Sequence, residues 1–126
     1  MKDEPRVILP HCRNKIADWI YKQMAHCLKH RIKRIILVKN LSDPDIKGRK
    51  LCGFLVDNEI CIDSGMCRKE KIKTLIHELA HSIWDDAKEM DVWKIEGLLY
   101  QAFSKAQKDI LWWHIKTARA GKIPRK

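Results

Sequence analysis

Apolar residues return along the chain in two rhythms, one of three to four residues and one that runs continuous or alternating, and each predicts an element. From about Cys12 to His30, the residues Ile16, Ile20, Met24, Cys27 and Leu28, joined by Ala17 and Trp19, follow the helical rhythm and predict an amphipathic helix. Arg34-Ile-Ile-Leu-Val38 is short, apolar and β-branched, which predicts a strand. The stretch from Asn40 to Lys50, with Ser42-Asp43-Pro44-Asp45 and Gly48, carries turn chemistry. Leu51-Cys-Gly-Phe-Leu-Val56 and Glu59-Ile-Cys-Ile-Asp63 predict two strands of a hairpin turning at Asp57-Asn58, where Asn tolerates a left-handed backbone.

Asp63-Ser64-Gly65 ends that strand and offers a cap, after which Ile72, Leu75, Ile76, Leu79, Ala80 and Ile83 predict a second helix running to about Asp85. A third pattern starts near Glu89. It carries Val92, Ile95, Leu99, Phe103 and Ala106, then Ile110, Trp113 and Ala118, and predicts one long helix stopped before Gly121 and Pro124. The expected layout is α+β: an N-terminal helix, a small three-stranded sheet with a hairpin edge strand, a second helix and a long C-terminal helix. No linker or repeat divides residues 1–126, so a single domain is expected, with a basic tail frayed from about residue 119.

Composition narrows the function classes. With 45% apolar residues among 126, the chain has enough material for a packed core despite 33% charged residues. No apolar run reaches the ~20 residues that span a bilayer, and Met1-Lys-Asp-Glu-Pro-Arg6 lacks the apolar core of a signal peptide. A cytoplasmic protein without a membrane partner is therefore expected. Its five cysteines form no Cys-x-x-Cys pair, which argues against a disulfide framework and suggests mostly small buried hydrophobes. The net charge of +10 suits an acidic partner surface.

The chemistry concentrates in Thr74-Leu-Ile-His77-Glu78-Leu79-Ala80-His81-Ser-Ile-Trp84, which contains His-Glu-x-x-His. Residues i and i+4 share a helix face, so two imidazoles reach one zinc ion while Glu78 stands beside the attacking water as general base. The apolar stripe of the helix lies to one side and the histidines project away from it, as a site open to water requires. The bland alternative is a pair of surface histidines with a fortuitous Glu between them. A catalytic zinc takes a third protein ligand, for which Glu96 is the first candidate because an unpaired carboxylate among Val92, Ile95, Leu99 and Phe103 is costly to bury. An ion pair to Lys or Arg would also meet that cost. Glu89, one heptad earlier and also suited to cap the third helix, and Asp85, one turn beyond His81, are the alternatives. Tyr100 follows Glu96 by one turn and is a candidate to stabilise a developing oxyanion, or simply to pack half-buried. His26 and His30 share the i, i+4 spacing, but Lys29, Arg31, Lys33 and Arg34 around them repel cations, so they read as a basic helix end.

With the strand Glu59–Asp63 before it, the run Leu75-Ile-His-Glu-Leu-Ala-His-Ser-Ile-Trp84 resembles the small zincin-type metallopeptidases. The nearest groups are the SprT-like (Spartan-type) proteases and the ImmA/IrrE-like proteins of phages and mobile elements. The similarity covers about Ile35 to Phe103. It implies zinc held by His77 and His81, Glu78 as general base, and the strand before the ligand helix as the cleft-side edge that binds substrate backbone. The third ligand departs from the pattern. SprT-like proteins place a His about 15 residues after the second motif His, where this chain has Glu96, and ImmA/IrrE-like proteins use a Glu further on.

Zinc-dependent hydrolysis of a protein or peptide substrate is therefore the expected function, with Glu78 taking a proton from water and returning it to the leaving amine. The alternative is a basic nucleic-acid-binding protein, non-catalytic or DNA-localised, with a structural or vestigial zinc site. Weak nucleic-acid binding without sequence preference, helped by Arg119, Lys122, Arg125 and Lys126, is a further expectation, since no base-reading motif is present.

Overall fold

The computed structural model describes residues 11–42 and 51–121. In chain order they form α1 (Lys15–His30), β1 (Arg34–Val38), β2 (Gly53–Val56), β3 (Glu59–Asp63), α2 (Arg68–Ile83), α3 (Glu89–Ala102), α4 (Lys105–Lys116) and β4 (Arg119–Ala120). This is an α+β arrangement of four helices and a mixed four-stranded sheet in the order β2-β3-β1-β4. The region around Pro10, the turn sequence 43–50 and the tail beyond Gly121 lie outside the described residues. No described helix is long and apolar enough to cross a membrane.

The hairpin forms because both turn residues accept positive φ, 49° at Asp57 and 63° at Asn58, which gives the two-residue turn whose twist matches the strands. β3 then pairs antiparallel with β2 and parallel with β1, in register from Arg34 opposite Glu59 to Val38 opposite Asp63. Side chains alternate across the sheet. Ile60 and Ile62 enter the main core with α2, while Cys61 joins Ile36, Val38 and Leu41 in a smaller cluster on the other face. With both neighbours in place, β3 is an interior strand, so the expectation that Glu59–Asp63 forms the free edge is corrected. The edge is β2.

α2 is the central helix, touching α1, α3, α4, β2 and β3. That is why Ile72, Leu75, Ile76, Leu79 and Ala80 are buried and why Thr74, His77, Glu78 and Ser82 on its other faces are buried too. α1 starts at Asn14, whose side chain accepts the Ala17 N–H at 3.0 Å. It buries Ala17, Tyr21, Met24 and Cys27, leaving Ile16 and Trp19 in solvent, so the buried stripe is rotated from the one expected. Tyr21 lies on the buried stripe, its ring meeting Phe103 edge-on at 5.6 Å, a contact worth about 0.5–1.5 kcal/mol beyond area burial.

The single long C-terminal helix is also corrected. Phe103 leaves the helical region with ψ 140°, and Ser104 starts α4 with a capping box: its hydroxyl accepts the Gln107 N–H while the Gln107 side chain accepts the Ser104 N–H. The restart shifts the phase, so Leu111 and Ile115 are buried while Ile110 and Trp113 face outward. Gln107 also donates to Asp18 at 3.0 Å, tying the start of α4 to α1. Beyond α4, Arg119 and Ala120 extend the sheet parallel to β1, and the Gly121 N–H donates to the Leu37 carbonyl at 3.0 Å. The thiols divide differently from expectation. Cys27 and Cys61 are buried, Cys12 is half-buried, Cys52 and Cys67 are exposed, and all five are free.

Gly53 sets how closely β2 approaches α2. A Cβ there would lie 2.5 Å from Thr74 Cγ2 and 2.7 Å from the Cys61 carbonyl oxygen. Gly53→Ala is expected to lower stability by about 1–3 kcal/mol in denaturant titration. Thr74→Ser in the same background should restore only part, because the Cys61 backbone remains. A neutral Gly53→Ala would show that β2 is not held against α2 in this way.

Candidate metal centre

One turn of α2 carries His77, Glu78 and His81. The helix ends at Ile83, where Trp84 caps it by donating to Ala80, and a five-residue connection returns the chain antiparallel as α3. Along α3, Glu89, Trp93 and Glu96 stand at i, i+4 and i+7 and share one face, toward α2. Both imidazoles therefore meet carboxylates from the neighbouring helix.

His77 is engaged through both ring nitrogens. Nδ1 lies 2.9 Å from Glu96 Oε1, and Nε2 contacts Glu89 Oε1. His81 Nε2 lies 3.2 Å from Glu89 Oε2, so the Glu89 carboxylate bridges the two imidazoles, whose ring centres are 4.9 Å apart. His77, His81 and Glu89 each bring one donor atom within 4.8 Å of the others, a set that can hold a divalent ion. Glu96 approaches His77 from the opposite nitrogen. With a cation at Nε2, the Nδ1–H of His77 donates to Glu96, which fixes the tautomer and orients the ring.

The geometry thus brings Glu89, rather than Glu96, to the two imidazoles, and it places Glu96 behind His77, 6% exposed and 3.9 Å from Lys73 Nζ. Asp85 is exposed outside the cleft. Tyr100 is not a cleft residue either; it lines the adjoining groove, with Lys69 and Lys108 over its ring. His77 and Glu78, at 7% and 6% exposure, are more enclosed than a helix face projecting away from the core implies, because α3 roofs them.

The cleft, of about 490 Å³, is walled by α2 and α3 on one side and by Leu51 to Phe54 on the other. Among the cleft residues that the sequence did not single out for the site are Lys73, Cys52 and Trp93, whose ring meets His77 edge-on at 5.1 Å. For Trp93 the signal was its helical spacing from Glu89 and Glu96. For Cys52 and Lys73 none was present. Electrostatics follow the enclosure. Burial pushes the Glu78 carboxyl up to about 7; His77 offsets part of this, and Glu89 and Glu96 add to it. Burial pulls the His77 ring down, but the Glu96 bond and the charges of Glu78 and Glu89 outweigh it and hold the ring above its ordinary value.

Comparison with protein-family models, curated proteins and solved structures finds no match for this chain.

Titration of the protein with zinc, followed by calorimetry and thermal melting, is expected to give one stoichiometric site. His77→Ala or Glu89→Ala should abolish tight binding, whereas Glu96→Gln should weaken it by about 10–100-fold, as loss of a ligand's orienting partner does. Equal losses from Glu89→Ala and Glu96→Ala would contradict the distinct places of the two carboxylates.

Proposed function

We propose that this chain is a zinc-dependent peptidase with a small zincin-like architecture. The observation that carries the reading is the convergence, in one cleft, of two imidazoles and a carboxylate with a buried Glu78 alongside and a strand edge opposite. Two nitrogens and one oxygen leave a coordination position open, the donor set of catalytic rather than structural zinc sites. A structural site has no use for Glu78. When bound, the ion supplies Lewis acidity toward a scissile carbonyl and the attacking water.

The chain's own groups do the rest. Glu78 is buried enough to hold or release a proton near neutrality, so it accepts the proton of the attacking water and passes it to the leaving amine. Glu96 keeps the His77 ring in one tautomer. Among the described residues, β2 has a partner on one side only, and Leu51 to Phe54 line the cleft, so its free backbone groups suit an extended peptide added as another strand. Tyr100 has no part in this mechanism.

Glu78→Gln keeps shape and removes the base. It is expected to retain zinc and to lose at least ~100-fold in kcat/KM on any internally quenched peptide that the wild type cleaves. Turnover within a few-fold of wild type would contradict the role of Glu78, and zinc binding without hydrolysis of any peptide by the wild type would favour a non-catalytic protein.

A further inference from the structure

Beside the metal cleft lies a second groove of about 500 Å³ lined by residues of α2 and α3, with Lys73 and Trp93 in the walls of both. The charge reverses from one to the other. The metal cleft is lined by Glu70, Glu78, Glu89 and Glu96, whereas the groove presents Lys69, Lys73 and Lys94 and no acidic residue. Among the described residues, Lys69 and Lys94 have no ion-pair partner, and Lys73 has only Glu96 at 3.9 Å.

Tyr100 holds part of this array in place. Its ring takes Lys69 Nζ at 5.6 Å and Lys108 Nζ at 4.3 Å, cation–π contacts that restrict two otherwise mobile side chains beside the groove. Gly97, in the groove wall, leaves open space: a Cβ there would meet nothing within 4 Å.

Resting on the peptidase reading above, we propose that this groove is a substrate subsite that receives acidic side chains of the peptide segment flanking the scissile bond. A peptide leaving the metal cleft at this end passes three unpaired or weakly paired ammonium groups. The charge pattern favours a peptide over a nucleic acid. A phosphate backbone continuing into the cleft would meet four carboxylates, and the Tyr100 ring, on which a base would stack, is already in contact with two lysines.

The test uses the zinc-loaded full chain and internally quenched peptides with one neutral core, flanked on either side by three Asp, three Ser or three Lys. On one flank, Asp is expected to lower KM at least about fivefold relative to Ser, with the preference shrinking as salt rises. The charge reversal Lys69→Glu with Lys94→Glu should raise KM for the Asp peptide roughly tenfold and turn the preference toward Lys. Gly97→Glu starts an acidic side chain where a Cβ meets nothing within 4 Å, so it should weaken the same peptide and keeps the test decisive if the double reversal disturbs folding. Equal KM for Asp and Ser peptides, or a preference that neither variant moves, would overturn the proposal. Displacement of the Asp peptide by a single-stranded oligonucleotide that binds more tightly through the same lysines would also overturn it, in favour of nucleic acid. If no peptide is cleaved, the peptidase reading fails separately. Anisotropy of a labelled Asp peptide on Glu78→Gln still decides the subsite: binding lost with Lys69→Glu and Lys94→Glu supports it, and no binding overturns it.

Discussion

A buried imidazole held at both nitrogens by carboxylates of the neighbouring helix organises this molecule. His77, Glu78 and Glu96 are each less than a tenth exposed, and an unpaired charge in such a place costs several kcal/mol. The cost is offset only if α2 and α3 keep one register, with Glu96 behind His77 and Glu89 in front of it. Removing one partner would strand the others, an effect of about 3–5 kcal/mol for buried pairs. Apolar residues of the same size would pack more cheaply, so stability alone does not account for the cluster.

The same constraint explains what could be read from the sequence. The motif residues announce themselves by spacing, and the helical and strand periods of α1, β1, the hairpin and α2 follow from side-chain pattern alone. Choosing between Glu89 and Glu96 depends on where α3 starts relative to His81. Five connecting residues fix that, and their path is a tertiary outcome. Glu96 was legible as a buried carboxylate needing a partner, but not as the partner of Nδ1. Other differences are local. Ser104 and Gln107 form a capping box inside an otherwise continuous helical pattern, and the apolar stripe that ran across it concealed the break. β4 was hidden because Arg119 and Ala120 carry no strand signal; backbone pairing to β1 makes them a strand. Edge and interior strands likewise differ by pairing, which the alternation of Glu59–Asp63 does not encode.

Charge is distributed with the same economy as packing. Four carboxylates line the cleft that holds the candidate metal site, and three lysines line the groove beside it. Part of the net charge of +10 is thus concentrated beside that cleft, in addition to its long-range field. Partial burial and the negative field of Glu70, Glu96, Asp63 and Glu78 raise the Cys52 thiol in the cleft wall above its ordinary value.

X-ray absorption at the zinc edge on the loaded protein tests the central claim most directly, because it reads the donor atoms themselves. Two imidazoles and a carboxylate predict a shell of nitrogen and oxygen only, at about 2.0–2.2 Å, with the outer-shell scattering of two histidines. Sulfur at about 2.3 Å, or scattering from fewer than two histidines in the unaltered chain, would contradict the account.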